Sequence, residues 1–114
     1  MQRDDHVYVG HMLDQARKAG DKVRGVSRSD FDADENLQMA LAYLIQTVGE
    51  AARRVSAPFQ RAHPDILWAR VIGMRHRIVH DYLHVDYDVV WAVVQFDLPQ
   101  LIVQLEAALP PELR

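Results

Sequence analysis

Apolar residues recur at three- and four-residue intervals along most of the chain, and this spacing predicts helices. The most regular stripe predicts a central helix from about Asp34 to Val55, with apolar positions at Leu37, Leu41, Leu44, Ile45, Val48, Ala52 and Val55. Gly49 lies inside this helix, where glycine costs about 1 kcal/mol of helix propensity relative to alanine. The cost is explained if another helix approaches closely at Gly49.

The chain before this helix predicts one more helix and a loop. A moderately apolar face predicts a peripheral helix from Arg3 to about Ala19, stopped by Ala19-Gly20, with Val9, Met12, Leu13 and Ala16 on that face. The stretch from Asp21 to Ser29 has little periodicity and is expected to be a loop. Ser29 and Asp32 resemble a capping box that would start a short turn at Phe31.

Two further helices are predicted in the second half of the chain. After a proline-bracketed connector, Ala57 to His63, a third helix is expected from Asp65 or Ile66 to about Tyr82. A last helix opens at Asp86 and is kinked or split by Pro99. No strand alternation is present. We therefore predict an all-α, up-and-down bundle of four to five helices, in one domain spanning residues 1–114.

Polar chemistry is concentrated between Gly73 and Tyr82, at the end of the third predicted helix. On an ideal helix Arg75 and Tyr82 lie within roughly 20° of each other, whereas Arg75 and His80 are separated by about 140°. One continuous helix therefore cannot direct Arg75 and His80 at one phosphate. A working site requires either that the helix end near His80 or that two subunits share the site.

The charge of the chain is unevenly distributed along the sequence. The formal net charge is -3, yet residues 53–77, here called the basic segment, hold six arginines and a single acid, Asp65. Positive charge of this kind can hold phosphates even on an acidic protein. The alternative is that these arginines are ordinary solvated side chains on helix surfaces.

The residue types in the Gly73–Tyr82 stretch suit phosphate chemistry without a metal. Histidine titrates near neutrality and can transfer protons, and the arginine guanidinium offers a planar fork that matches phosphate oxygens. His76, His80 and His84 also repeat every four residues and could be metal ligands on one helical edge. However, no glutamate occupies the position that helical zinc hydrolases use, so we expect neither a metal nor another cofactor.

Composition restricts the setting in which the protein works. The chain has no cysteine, so it has neither disulfides nor thiolate metal sites. It has no apolar run of the roughly 18 residues that a membrane span needs, and its N-terminus lacks the layout of a signal peptide. These features favour a cytoplasmic protein without a membrane partner.

The motif Arg75-x4-His80-x-Tyr82 resembles that of HepT-like toxins in the HEPN superfamily. The resemblance also covers Val48 to Ala52, Pro64 to Trp68, Ile72 to Arg75 and Val90 to Leu101, in the order of that family. It implies a HEPN-like helical bundle that dimerises through the motif-bearing helices. It further implies a metal-independent endoribonuclease that cleaves RNA in a cleft shared by two subunits.

The resemblance also implies roles for individual residues. Arg75 would hold or polarise the scissile phosphate, and His80 would be the general acid or base while the ribose 2′-hydroxyl attacks. His76 would support the site at a position that is often asparagine. Arg77, the next residue, would also support the site. Tyr82 would be adenylylated by a partner, a minimal nucleotidyltransferase of the antitoxin type, and the added AMP would exclude RNA. The alternative function is a non-catalytic module that binds the nucleotidyltransferase or RNA.

Overall fold

The computed structural model describes residues 2–81 and 84–114, with the backbone alone for residues 2, 3, 80 and 81. Its α-helices are α1 (Gln2–Val23), α2 (Arg28–Asp32), α3 (Glu35–Arg53), α4 (Ala57–Ala62), α5 (Trp68–Ile72), α6 (Met74–Ile78), α7 (Tyr87–Ala92) and α8 (Leu98–Ala108). A π-helical segment (Val93–Asp97) joins α7 to α8, and a 3-10 turn (Pro111–Leu113) follows α8. The predicted all-α class is confirmed, although the described part of the chain divides into more helices than the four to five predicted.

Helix α3 is the central packing helix that the apolar stripe predicts. It begins after Asp34, whose carboxylate accepts a hydrogen bond from the Leu37 N–H at 2.9 Å and so caps the first turn. Its inner face is buried along its length at Leu41, Ala42, Leu44, Ile45, Val48, Gly49, Ala51 and Ala52. This helix gives the neighbouring helices a continuous apolar surface to pack against.

Helix α1 differs from its prediction in both length and position. It continues through Gly20 to Val23, and the chain turns at Gly25, whose φ of 73° is one that glycine adopts readily. The helix is central rather than peripheral, because its apolar face is buried against α3 and α8. Polar bonds join it to both neighbours: Gln15 donates to Thr47 at 3.0 Å, and Arg17 pairs with Glu106 at 2.6 Å.

Helix α2 begins two residues before the position that the capping box predicted. Ser27, not Ser29, is the N-cap, and its hydroxyl accepts a hydrogen bond from the Asp30 N–H at 3.0 Å. Phe31 on this helix is buried and packs against Trp91, with 4.9 Å between ring centroids. Hydrogen bonds from Arg28 to Asp32 and then to Asp88 raise the pKa of Arg28 and tie α2 to α7.

The prediction of one continuous third helix is wrong. It is split at Gly73 into two short helices, α5 and α6, and α6 ends at Ile78. Val79 takes extended backbone angles, which suit a β-branched residue, and the Ile78 carbonyl accepts a hydrogen bond from the Asp86 N–H at 2.6 Å. That carbonyl is therefore engaged outside the helix.

A short antiparallel ribbon follows α6, where no strand was predicted. Strand β1 (Val79–Asp81) pairs with β2 (His84–Val85), with Val79 opposite Val85 and Asp81 opposite His84. The strands are too short to show the alternation by which a longer strand is recognised in a sequence. The ribbon turns the chain back toward α7 and carries the backbone of His80.

The last predicted helix is confirmed from its start at Asp86 to its interruption near Pro99. The Asp86 side chain caps α7 by accepting a hydrogen bond from the Val89 N–H at 3.1 Å. The Leu98 N–H bonds to the Val93 carbonyl, five residues earlier, so one wider turn precedes the proline. Such a turn absorbs the missing N–H and the bulk of Pro99 without ending the helix. Within the described chain, no helix is long and apolar enough to cross a bilayer.

The close approach predicted at Gly49 is confirmed and leads to a test with an internal control. A Cβ atom on Gly49 would lie 3.1 Å from the Val71 carbonyl oxygen of α5, whereas a Cβ on Gly10 of α1 would meet nothing within 4 Å. Overpacking costs about 1–3 kcal/mol, which exceeds the roughly 1 kcal/mol of helix propensity that alanine gains. Gly49→Ala should therefore lower the free energy of unfolding in urea.

Gly10→Ala is the matched control for that measurement. It changes the same atoms inside a helix without a steric contact, so it should raise the free energy of unfolding by up to about 1 kcal/mol. Equal stabilisation by both substitutions would show that α5 can move away from α3 at no cost.

Candidate functional site

Helix α6 presents three of the predicted site residues on its outer surface. Arg75 and His76 are exposed to solvent, and Arg77 is partly buried. The helix is held in place by its other two residues, Met74 and Ile78, which are buried in the core. The apolar positions of this five-residue helix therefore anchor it, and its polar residues remain available for contact with a ligand.

An aspartate from the distant end of the chain binds two arginines of the basic segment. The Asp97 Oδ2 atom accepts hydrogen bonds from Arg77 Nη1 at 2.8 Å, from Arg70 Nη2 at 3.1 Å and from Arg70 Nε at 3.2 Å. Asp97 is the last residue of the π-helical segment, and its side chain is 17% exposed. The site thus gains a carboxylate that no pattern in the sequence assigned to it.

Arg75 differs from these two arginines in its surroundings. Among the side chains that the structure describes, no carboxylate pairs with Arg75, although Arg77 two residues later is paired with Asp97. An unpaired guanidinium can donate two parallel hydrogen bonds to phosphate oxygens without first breaking an internal ion pair. Of the two arginines of α6, Arg75 is therefore the better placed to bind an anion.

The end of α6 meets one of the two conditions that the helical geometry set for a working site. The helix stops at Ile78, two residues before His80, so the separation of about 140° expected on a continuous helix does not apply. The alignment of Arg75 with Tyr82 on one helical face does not apply either. The side chain of His80 and the whole of Tyr82 lie outside the described residues.

The proposed helical edge of three histidines is not formed. His80 lies on β1 and His84 on β2, so only His76 of the three is on a helix. Among the described side chains, which exclude that of His80, no three histidine or acidic groups are placed to hold a metal ion. The four-residue repeat is therefore not a helical ligand set.

The remaining arginines of the basic segment do not all lie beside α6. Arg54 lies over the Tyr8 ring, with its guanidinium carbon 6.0 Å from the ring centroid, and lines a cavity of about 670 Å³ between α1 and α3. Arg53 lies 4.0 Å from Glu50 on the same helix. The charge segregation along the sequence therefore overstated the local charge at α6, because the fold places Arg54 against α1 instead.

A smaller cavity adjoins the Arg70–Asp97 pair. Its volume is about 290 Å³, and it is lined by residues of α5, α6, α8 and the segments beside them: Asp65, Leu67, Arg70, Val71, Met74, Asp97, Gln100, Leu101 and Gln104. Met74 of α6 forms part of its wall, so this cavity borders α6. No spacing in the sequence identifies it, since its walls are about 30 residues apart along the chain.

Comparison with known proteins gives one consistent result. A family model described as "Ribonuclease HepT-like" matches residues 12–108. A protein named "Putative RNase TTE0752" from Caldanaerobacter subterraneus is 29% identical over 92% of this chain and 94% of its own length. "Probable ribonuclease HepT" from Thermococcus cleftensis is 30% identical over 89% of this chain and 92% of its own length. No solved structure matches the chain significantly.

Proposed function

Because the chain belongs to the HepT-like ribonuclease family, we propose that it is a metal-independent endoribonuclease whose chemistry is carried by Arg75 and His80. The observation that best supports this proposal is the exposed Arg75 on α6, unpaired among the described side chains, on a helix that ends two residues before His80. A guanidinium and an imidazole on adjoining helix and ribbon supply the cation and the proton carrier that metal-free RNA cleavage needs.

The proposed reaction is an internal transesterification at one RNA phosphate. The 2′-oxygen forms a bond to phosphorus and the bond to the 5′-oxygen breaks, which leaves a 2′,3′-cyclic phosphate and a 5′-hydroxyl. One proton leaves the 2′-hydroxyl and another joins the 5′-oxygen; His80 carries one of these transfers and solvent water the other. Arg75 binds the phosphate oxygens and stabilises the charge that grows on them in the transition state.

Two neighbours have supporting roles in this proposal. His76 is exposed next to Arg75 and can donate a hydrogen bond to the same phosphate. Arg77 acts indirectly, since its ion pair with Asp97 holds the last turn of α6 against the π-helical segment.

The proposal includes a homodimer and a regulating partner. Phe96, in the π-helical segment that ends at Asp97, is 73% exposed, and an apolar side chain at this exposure is suited to contact a second subunit beside the site. The regulating partner is a nucleotidyltransferase antitoxin that binds the toxin and adenylylates Tyr82. AMP on this phenol would place negative charge and bulk two residues after His80, where they would repel RNA.

RNA cleavage by purified protein in a metal chelator tests the catalytic proposal. We expect oligoribonucleotides to be cut internally and the 5′ fragments to end in a cyclic phosphate. Sedimentation of the same sample should give the mass of two chains. Intact RNA after prolonged incubation with folded protein, or activity that the chelator abolishes, would refute the assignment.

Mass spectrometry after co-expression with the nucleotidyltransferase tests the control of Tyr82. We expect one or more AMP masses on the peptide that contains Tyr82 and a matching loss of RNA cleavage. Tyr82→Phe, which keeps the ring and removes the acceptor oxygen, should remain unmodified. AMP on the Tyr82→Phe protein would show that the acceptor is another residue.

A further inference from the structure

The cavity of about 290 Å³ beside α6 has apolar walls and a polar rim, and the proposed reaction does not use it. Val71, Met74 and Leu101 form the apolar part, and all three are buried. The volume is at the lower limit of small-molecule pockets, roughly 300–1,000 Å³, so it suits one ring system rather than a whole nucleotide.

The polar rim offers hydrogen-bonding groups of both kinds. The Gln100 amide, an acceptor and a donor together, has no hydrogen-bond partner among the described residues. Gln104 donates through Nε2 to the Asp65 carbonyl at 2.9 Å, which fixes its side chain in place. Arg70 uses Nε and Nη2 on Asp97, so its Nη1 remains for a ligand.

This combination matches a nucleobase better than a phosphate. A base has two apolar faces and a polar edge with donors and acceptors, which correspond to the apolar walls and the amide rim. A phosphate would find one cation among the described lining residues, Arg70, and its guanidinium is already paired with Asp97.

The cavity is connected to the proposed cleavage site by both sequence and contact. Met74 in its wall is followed directly by Arg75. Asp97, also in its wall, accepts a hydrogen bond from Arg77 on α6 at 2.8 Å. A base in the cavity would therefore lie against the same five-residue helix that carries Arg75.

We propose that this cavity is a nucleobase subsite, which takes one unpaired base of the RNA near the scissile phosphate and reads its edge with Gln100. The inference rests on the proposed ribonuclease function and adds the class of group that is recognised. It makes the enzyme selective for single-stranded RNA, since a paired base cannot enter the cavity with its edge exposed.

Cleavage of a matched set of oligoribonucleotides tests the reading of the base. Each substrate is single-stranded and differs from the others only in the base at one position around the cut. We expect wild-type kcat/KM to differ at least about 10-fold between the best and the worst base, and Gln100→Ala to reduce that ratio to about 3-fold or less. Gln95→Ala removes an amide from the adjoining π-helical segment, where it does not line the cavity, and should leave the ratio unchanged. Equal cleavage of all four bases by the wild type, or an unchanged ratio in Gln100→Ala, would overturn the proposal.

Binding of an oligonucleotide that contains 2-aminopurine provides a readout that does not depend on cleavage. In His80→Ala protein, 2-aminopurine fluorescence should rise when the base leaves the stack and enters the cavity. Leu67, 62% exposed at the rim, can be replaced by tryptophan to obstruct the cavity, and this should abolish the rise. Val103→Trp places the same ring at a similarly exposed position that does not line the cavity, and should preserve it.

The two assays separate failure of the subsite from failure of the proposed function. If wild-type protein cuts no RNA, the ribonuclease proposal fails, and the fluorescence assay alone decides whether a base enters the cavity. A rise that persists in Leu67→Trp refutes the subsite. Free nucleoside monophosphates that bind as tightly as the oligonucleotide would identify the ligand as a free nucleotide, and would also overturn the proposal.

Discussion

Arg75→Ala is expected to lower kcat/KM for RNA cleavage by about 10²- to 10³-fold, the effect of removing one preorganised charge donor from a developing anion. The expectation follows from the exposed guanidinium of Arg75, which no described side chain neutralises. Single-turnover cleavage of one oligoribonucleotide measures it, because product release then does not mask the chemical step. Arg75→Lys keeps the charge but loses the planar fork, so it should restore only part of the rate.

Two further variants provide reference values against which the loss of activity in Arg75→Ala is compared. His80→Ala should lose about 10²- to 10⁴-fold, as expected for a general acid or base. Arg53→Ala removes an exposed arginine of the same segment that lies 4.0 Å from Glu50, and should stay within about twofold of wild type. Comparable losses in Arg53→Ala and Arg75→Ala would mean that general positive charge, and not a defined contact, explains the activity.

Local sequence signals predicted the elements that local interactions determine. The position of α3 follows from its apolar stripe and from Asp34 at its start, and α7 likewise begins after Asp86. Both aspartates accept a hydrogen bond from a backbone N–H three residues later, a contact that depends on neighbouring residues alone. The close approach at Gly49 was also predictable, because a glycine inside such a helix indicates close packing, and α5 packs there.

The elements that depend on distant contacts were not predictable in the same way. The third helix was predicted to continue because the apolar spacing continues beyond Ile78. In the structure the Ile78 carbonyl instead accepts a hydrogen bond from the Asp86 N–H, and the chain becomes extended. The central position of α1 was missed because a moderately apolar face does not reveal that two partners, α3 and α8, enclose it.

The candidate site shows the same division between local and distant contacts. The motif placed Arg75 and His80 together by position alone, whereas Asp97 lies 20 residues after Arg77 and reaches it only in the folded chain. Its effect is selective. Asp97 pairs with Arg70 and Arg77, while Arg75 between them in sequence keeps an uncompensated charge among the described side chains. Net charge along a segment therefore cannot identify which arginine is available to a substrate.

Ile78→Ala is expected to lower the free energy of unfolding by about 2–5 kcal/mol, a large part of the roughly 5–15 kcal/mol that stabilises a domain. The Ile78 side chain is 0% exposed, and its carbonyl joins the end of α6 to the start of α7 by accepting the hydrogen bond from the Asp86 N–H. Loss of this side chain leaves a cavity directly beneath the proposed site. Urea unfolding followed by circular dichroism should show a lower midpoint with an unchanged slope.

Conservative and surface variants show whether the effect arises from buried volume. Ile78→Val removes one methylene and should cost about 0.5–1.5 kcal/mol while RNA cleavage is retained. Val103→Ala removes apolar atoms from a side chain that is 66% exposed, and should change the free energy of unfolding by no more than about 0.5 kcal/mol. If Ile78→Ala cost as little as Val103→Ala, α6 would not depend on the core for its position. The fixed orientation of Arg75, on which the proposed chemistry rests, would then need another source.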